Sequence, residues 1–381
     1  MADGERTAGR ATAEGTARFA ARFPDLPGHF RRPDRLTFSS LALGMRNGEI
    51  DGVDDVLYRS AVGCLLEGGV NVFDTALSER MMSSERCLGA ALERAFREGT
   101  AARDEVVLVT KGGYLTLDPE RVVTRSQSRR YLVETYVDSG LVDPERIVHG
   151  VHCLDGPFLR DQIERSRRNL RVETIDLYLI EEPELHLGEC SAEEFRRRLT
   201  GAFEALECAV ADRVIAAWGL CTWDGFLRPH SDRGHLALLD VFDWALEVGG
   251  GDHHLRAVQL PYSVAMAEAF RLDSQIGPTG HSDAVLSTLR GTGTAVLASA
   301  PLVQGRALGR LPPIVHDACP GLASDAGRCL QFVRSTPEIT SAVVGMRDPD
   351  HVEENLAVAR VTPASPEAIE ALFKRAAQPT R

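Results

Sequence analysis

Eight short apolar runs set the terms on which this chain can fold. They are Leu41-Ala-Leu-Gly44, Val70-Asn-Val-Phe73, Val106-Val-Leu-Val109, Ile175-Asp-Leu-Tyr-Leu-Ile180, Ile215-Ala-Ala-Trp-Gly-Leu220, Ala257-Val-Gln259, Ala295-Val-Leu-Ala298 and Ser341-Ala-Val-Val344. Between them lie segments with residues at helical spacing, such as Tyr58, Ala61 and Leu65, or Phe195, Leu199, Phe203 and Leu206. Strand alternating with helix implies parallel strands joined by right-handed crossovers. Eight such units predict an α/β fold of the (β/α)8 TIM-barrel type over residues 36–365, rather than an open sheet.

In such a barrel the chemistry sits where the strands end and the following loops begin. Asp74, Lys111, Glu181, Thr222, Gln259, Ser299 and Gly345 occupy those positions. A carboxylate at a buried strand tip is costly unless paired, and Lys111, at the tip of the next strand, is the natural partner for Asp74. A purely structural ion pair at the barrel rim is the alternative reading of these two residues.

The remaining regions are read from composition. Residues 1–35 are rich in Ala, Gly, Arg and Thr and lack the apolar core of a secretory signal, so they are expected to form a flexible extension. Residues 366–381 are expected to be a C-terminal tail. A long insert at about residues 112–157 follows the third strand, placed either over the barrel mouth or as a packed structural element. The net charge of −12 argues against nucleic acid or an anionic membrane as partner and leaves a small-molecule substrate. No apolar run approaches the roughly 20 residues of a membrane span. Eight cysteines without a CxxC pair or metal-like clustering suit a reduced, cytoplasmic protein, and no metal site is expected.

Several motifs, in order, carry a family resemblance. They are Phe73-Asp-Thr-Ala76 with Ser84-Glu-Arg-Cys-Leu-Gly89, Val109-Thr-Lys111, Ser166-Arg-Arg-Asn-Leu170, Val258-Gln-Leu-Pro-Tyr262, Pro301-Leu-Val-Gln-Gly305, and Val344-Gly-Met-Arg-Asp-Pro349 followed by Glu354-Asn355. The chain resembles the aldo-keto reductases over roughly residues 36–365. The resemblance implies NADP(H) as cofactor and a catalytic set of Asp, Tyr, Lys and His. The Asp and Lys fall on Asp74 and Lys111. The Tyr and His positions hold Glu79 and Glu181 instead, which makes the site atypical.

The resemblance also assigns the cofactor residues. Gln259 and Thr222 lie at the nicotinamide end, where Ser299 replaces the usual stacking aromatic. Pro301, Leu302 and Gly305 lie on the pyrophosphate loop. Gly345, Arg347, His351, Glu354 and Asn355 lie at the adenine end, with a helix N-terminus suited to a phosphate.

Three carboxyls against one lysine are expected to retain a shared proton, since burial and mutual repulsion raise carboxyl pKa values while Lys111 lowers them. This leaves three readings open. One is an oxidoreductase acting on an activated C=C, a C=N or an unusual carbonyl with a glutamate as proton donor. Another is a redox-neutral acid/base enzyme (isomerase, dehydratase or cyclase) using Glu79, Glu181 and Lys111. The third is a catalytically inactive binding or regulatory protein on the same scaffold. Tyr114 is the nearest substitute phenol in sequence, and His149 and His152 are the nearest imidazoles.

Overall fold

Eight parallel strands close into a barrel in the computed structural model, which describes residues 6–122, 124–277 and 279–376. The strands are β1 (Leu41–Gly44), β2 (Val72–Asp74), β3 (Val107–Gly112), β4 (Ile175–Glu181), β5 (Ile215–Cys221), β6 (Leu255–Pro261), β7 (Ala295–Ser299) and β8 (Ser341–Val344). Each pairs in parallel with its neighbours in sequence, and β8 returns to β1 to close the ring. The helices that follow the strands are α1 (Gly52–Glu67), α2 (Ser83–Glu98), α3 (Gly156–Leu170), α4 (Ala192–Ala211), α5 (Leu238–Gly249), the short α6 (Val285–Leu289), α7 (Asp325–Ser335) and α8 (Pro349–Ala359). Side-chain caps begin several of them: Asp51 for α1, Ser191 for α4, Ser324 for α7 and Asp348 for α8.

Two apolar cores follow from the alternation of side chains along each strand. One set faces outward to the helices and includes Leu41, Leu43, Phe73, Leu108, Tyr178, Trp218 and Val258. The other fills the barrel: Ala42, Val72, Val107, Val109, Leu177, Leu179, Ala257, Leu297 and Val343. The register keeps these in layers, with Asp74 beside Val109, Lys111 beside Leu179, and Glu181 beside Cys221. Between β5 and β6 the register shifts at Trp218 and Gly219. There a Cβ on Gly219 would lie 2.1 Å from the Ala257 carbonyl oxygen, so no larger residue fits without moving a strand.

The N-terminal segment departs from expectation. Residues 6–35 are not a loose extension but a plug under the barrel. Ala11 joins the barrel-interior core, next to Phe38 just beyond the segment. The Ala11 amide donates to Asp176 Oδ1 at 2.7 Å. A helix at Ala13–Ala21 buries Phe19, and Phe19, Phe23 and Phe30 pack as one aromatic cluster with centroids 5.2–6.2 Å apart. Full burial of one such side chain stabilises by roughly 1.5–3 kcal/mol, and an average over Ala, Gly and Thr hides that contribution. Residues 1–5 lie outside the described residues.

At the other end, Pro366–Ala376 forms a helix that buries Ile369 and Leu372, so the expected tail is structured up to Ala376. The insert, Val123 excepted, is a packed element on the outer flank rather than a cover over the mouth. Tyr136 is fully buried, donates to the Thr116 carbonyl at 2.8 Å and packs edge-on against Phe158 of α3. Arg86 of α2 pairs with Asp118 and Glu120. Tyr136 therefore does not reach the site. The two ends of the insert, at Tyr114 and His152, do touch the tip of β4.

Candidate active site

The barrel-interior alternation ends in polar residues on one face. Val72 leads to Asp74, Val109 to Lys111, Leu179 to Glu181, Ala257 to Gln259 and Leu297 to Ser299, each two residues on and on the same side of its strand. By the same count the inward residue at the tip of β5 is Cys221, with Thr222 one position beyond. Cys221 was not among the residues singled out from the motifs. Strand parity would have found it.

Lys111 Nζ donates to Asp74 Oδ2 and to the Thr75 carbonyl, both at 2.8 Å. Gln259 Nε2 donates to the same Asp74 oxygen at 3.2 Å. Ser78 Oγ donates to Glu181 Oε2 at 3.1 Å. Asp74, Lys111 and Gln259 are each at most 3% exposed. Glu79, on the turn after β2, joins the group electrostatically. Buried oxygens around this mouth without a hydrogen-bond partner include Asp74 Oδ1, Thr75 Oγ1, Glu79 Oε2, Glu184 Oε2, Thr222 Oγ1 and Gln259 Oε1. Buried polar atoms are normally paired, and exceptions cluster where a ligand or reaction partner belongs.

Burial dominates the electrostatics. It pushes the Glu79 carboxyl up to about 8, with Lys111 opposing and Asp74 and Glu181 adding to the rise. Burial also raises the Asp74 and Glu181 carboxyls, each against the pull of Lys111. Lys111 loses some basicity to burial but is held above the ordinary lysine range by Asp74, Glu79, Cys221 and Glu181. Desolvation raises the Cys221 thiol well above its usual value, so it faces the cluster protonated. The arrangement can hold a fixed ammonium and give or take a proton at a carboxyl near neutral pH.

The rim around the cluster is built with strain and buried polar contacts. Arg80, Met81 and Met82 are three consecutive residues in the left-handed region, directly after Glu79. Such residues each cost roughly 1–2 kcal/mol and persist only when their surroundings hold them. What holds these is Arg80, whose buried guanidinium donates to the Glu49 carbonyl and pairs with Asp55 at 2.8 Å. Glu182, Ala300, Val303 and Gln304 at other mouth loops are also left-handed. Tyr114 donates its hydroxyl to Glu182, so the nearest substitute phenol already has a partner. Glu184 Oε1 accepts from the Trp223 amide at 2.6 Å and, more weakly, from Asp224 and Gly225, which fastens the loop after β5. Burial raises the Glu184 carboxyl to about 7.

A histidine relay backs Glu181. Arg198 Nη1 lies 3.2 Å from His186 Nδ1, His186 Nε2 lies 3.0 Å from His152 Nδ1, and His152 Nε2 lies 2.7 Å from the Glu181 carbonyl oxygen. Arg198 can only donate, so this order fixes both neutral tautomers and runs the donation toward Glu181. Burial lowers the His152 and His186 pKa values to about 4 and 3, consistent with neutral rings. His152 is therefore a satisfied buried histidine and not a free imidazole at the site. His149 is half-exposed and faces Glu189.

The residues assigned to cofactor lie around the same mouth. Thr222 and Gln259 are buried at adjacent strand tips, each with an oxygen lacking a donor, as an amide ligand would require. Pro301 is buried, whereas Leu302 is half-buried and Gly305 exposed. Gly345 is exposed, and a Cβ there would press on the Asn47 amide at 2.8 Å. Asn355 is buried, Glu354 half-buried and His351 exposed on α8. Arg347 is bound within the chain by Asp54 at 2.6 Å, and Asp348 caps α8. A cavity of about 540 Å³ lies elsewhere, on the flank between the insert and α4, lined by Arg146, Asp155 and Arg198 among others. We place the site at the mouth because the unpartnered polar groups and shifted carboxyls are there.

The aldo/keto reductase family model matches residues 40–226, which span β1 to the loop after β5 and include Asp74, Glu79, Lys111 and Glu181. Residues 40–226 belong to the aldo/keto reductase family. Among curated proteins, none matches it in sequence. Solved aldo/keto reductases share the fold. One from Bacillus halodurans, in its holo form, is 18% identical with a TM-score of 0.58, covering 90% of this chain and 95% of its own. One from Klebsiella pneumoniae, in complex with NADP and acetate, is 19% identical with a TM-score of 0.58, covering 93% and 97%. A Klebsiella pneumoniae aldo-keto reductase in complex with NADPH gives 19%, 0.58, 92% and 95%. Among the described residues, no helix is long and apolar enough to cross a membrane.

Proposed function

We propose that this protein is an NADP(H)-dependent oxidoreductase whose proton donor is the carboxylic acid of Glu79. The observation that carries the reading is the placement of Glu79. Its side chain is half-buried with Oε2 shut from solvent and unpartnered, it interacts electrostatically with Lys111, Asp74 and Glu181, and desolvation raises its pKa to about 8. Such a group keeps its proton at neutral pH and can donate it to charge developing on a substrate. An ordinary glutamate, ionised, would repel that charge instead. Lys111 and Asp74 keep the cluster's charge in place, and Glu181 shares the proton economy of the site.

Support for the cofactor comes from the solved relatives, two of which hold NADP or NADPH. It also comes from the unpartnered oxygens of Gln259 and Thr222, which suit a nicotinamide amide. Gly345, Glu354 and Asn355 would hold the adenine end. When bound, NADPH supplies a hydride. The substrates that fit a carboxylic-acid donor are an activated C=C, a C=N or an unusual carbonyl.

One observation favours a second reading, a redox-neutral acid/base enzyme using Glu79, Glu181 and Lys111. Arg347, the cation expected at the 2′-phosphate, is occupied by Asp54 at 2.6 Å. The deciding experiment is NADPH binding by fluorescence, followed by deuterium transfer from labelled NADPH to a panel of imines, enones and ketones. Micromolar binding with label in the product supports the oxidoreductase. No binding at millimolar NADPH, or turnover without NADPH consumption, shifts the assignment to the redox-neutral enzyme.

A further inference from the structure

The unfilled hydrogen-bonding capacity of the mouth leans toward acceptance. Asp74 Oδ1, Glu79 Oε2 and Gln259 Oε1 can accept and, when the carboxyls are ionised, cannot donate; the Thr75 and Thr222 hydroxyls can do either. Asp74 and Gln259 are almost fully shut off from bulk solvent. On the donor side stands Lys111, already committed to Asp74 and the Thr75 carbonyl. The charge count points the same way. Asp74, Glu79 and Glu181 surround one ammonium, with Glu182 and Glu184 behind them and the exposed Arg46 the other cation that reaches Glu79 and Glu181. With Gln259 and Thr222 given to the cofactor amide, Asp74 Oδ1 and Glu79 Oε2 still lack donors.

We infer that the ligand this mouth receives beside Lys111 is a small organic cation with at least one N–H, a protonated amine or iminium. Among the described residues no group of three His, Cys, Asp or Glu is spaced to hold a metal ion, which separates this cation from an inorganic one. Trp223, the second residue after β5, stays 45% exposed and adds an aromatic surface at the rim. An anionic ligand would leave Asp74 Oδ1 unpaired and add to the repulsion. The inference rests on the mouth being the reaction site, and among the three bond types proposed above it selects C=N, a neutral imine taking the Glu79 proton to become the bound iminium beside the carboxylate.

Linkage gives the signature. Glu79 faces Lys111, Asp74, Glu181, Arg46 and Tyr58, and its carboxyl is raised by burial. A bound cation favours the ionised form, so binding expels a proton and tightens as pH rises through that range. A neutral ligand has no such dependence, and an anion has the reverse.

The test is calorimetry on the full chain with pyrrolidine, which stays protonated throughout, against cyclopentanol and cyclopentanecarboxylate. Titrations run from pH 6 to 8 in two buffers of different ionisation enthalpy. Pyrrolidinium is expected to bind at least tenfold more tightly than the other two at pH 8. Its affinity should rise roughly tenfold from pH 6 to 8 with proton release, and Glu79→Gln should flatten that rise. Preference for the alcohol or carboxylate, a flat pH profile, displacement by magnesium, or no pyrrolidinium binding at high millimolar concentration overturns the inference. NADPH titrated in the same instrument keeps the two proposals apart. Cation binding without NADPH binding removes the oxidoreductase and keeps the cation site, and NADPH binding without cation preference does the reverse.

Discussion

The two ends of the barrel each bury an aspartate against a cation, and they treat it differently. At the bottom, Asp176 accepts from the Ala11 amide on one oxygen, and from the Leu108 amide and Arg103 on the other, at 2.7–2.9 Å. At the mouth, Asp74 puts both of its donors, Lys111 and Gln259, on one oxygen and leaves the other bare. The first fills both carboxylate oxygens and ties the N-terminal segment, β3 and β4 together, the Nε of Arg103 alone staying unpartnered there. The second is held by one edge and open on the other. Burial alone does not separate a structural pair from a reactive one; the difference lies in which polar groups remain unpaired.

Substitutions at the two ends should sharpen this contrast. The largest effect belongs to the bottom. Asp176→Ala strands two backbone amides and leaves the buried Arg103 on the Val106 and Thr174 carbonyls without its counter-charge, and should lower unfolding free energy by about 3–5 kcal/mol. Denaturant melts would read that loss, and an effect under 1 kcal/mol would break the contrast.

At the mouth the sign reverses. Glu79 is raised from its ordinary value of 4.5 to about 8. Between these values the native state holds a proton that the unfolded chain has released, so wild-type stability falls as pH rises. Glu79→Gln escapes that fall. Its advantage over wild type should be near zero at pH 5 and grow by on the order of 2–4 kcal/mol by pH 8. Parallel stability curves for the two proteins would contradict the raised carboxyl.

A smaller effect tests the link between the flank and the mouth. His186→Leu removes the donor to His152 and the acceptor for Arg198, which should cost about 1–3 kcal/mol. Because His152 holds the Glu181 carbonyl, the variant should also shift the carboxyl titration at the site. His186→Gln should restore part of both, whereas a loss of stability without any change in titration would make the relay purely structural.

The sequence was informative where structure repeats locally. All eight strands lie on the apolar runs, because a buried parallel strand needs an uninterrupted apolar stretch, and Asp74, Lys111 and Gln259 follow from where those runs stop. The illegible parts depend on contacts between distant segments. Phe19, Phe23 and Phe30 look isolated in an Ala- and Arg-rich segment until they pack under the barrel. The Arg198, His186 and His152 relay spans three elements and leaves no local pattern, and neither does the Asp54–Arg347 pair. Tyr136 in the insert could have faced either way, and packing against α3 placed it in the core.

The most direct test of the account is the ionisation of Glu79 itself. Infrared difference spectroscopy of the carboxyl stretch, titrated from pH 4 to 10, should show a protonated carboxylic acid that persists at pH 7 and is lost near pH 8. The band should be absent from Glu79→Gln. Carboxyls fully ionised by pH 6, or a band near pH 8 that survives in Glu79→Gln, would contradict the assignment of Glu79 as the acid of this site.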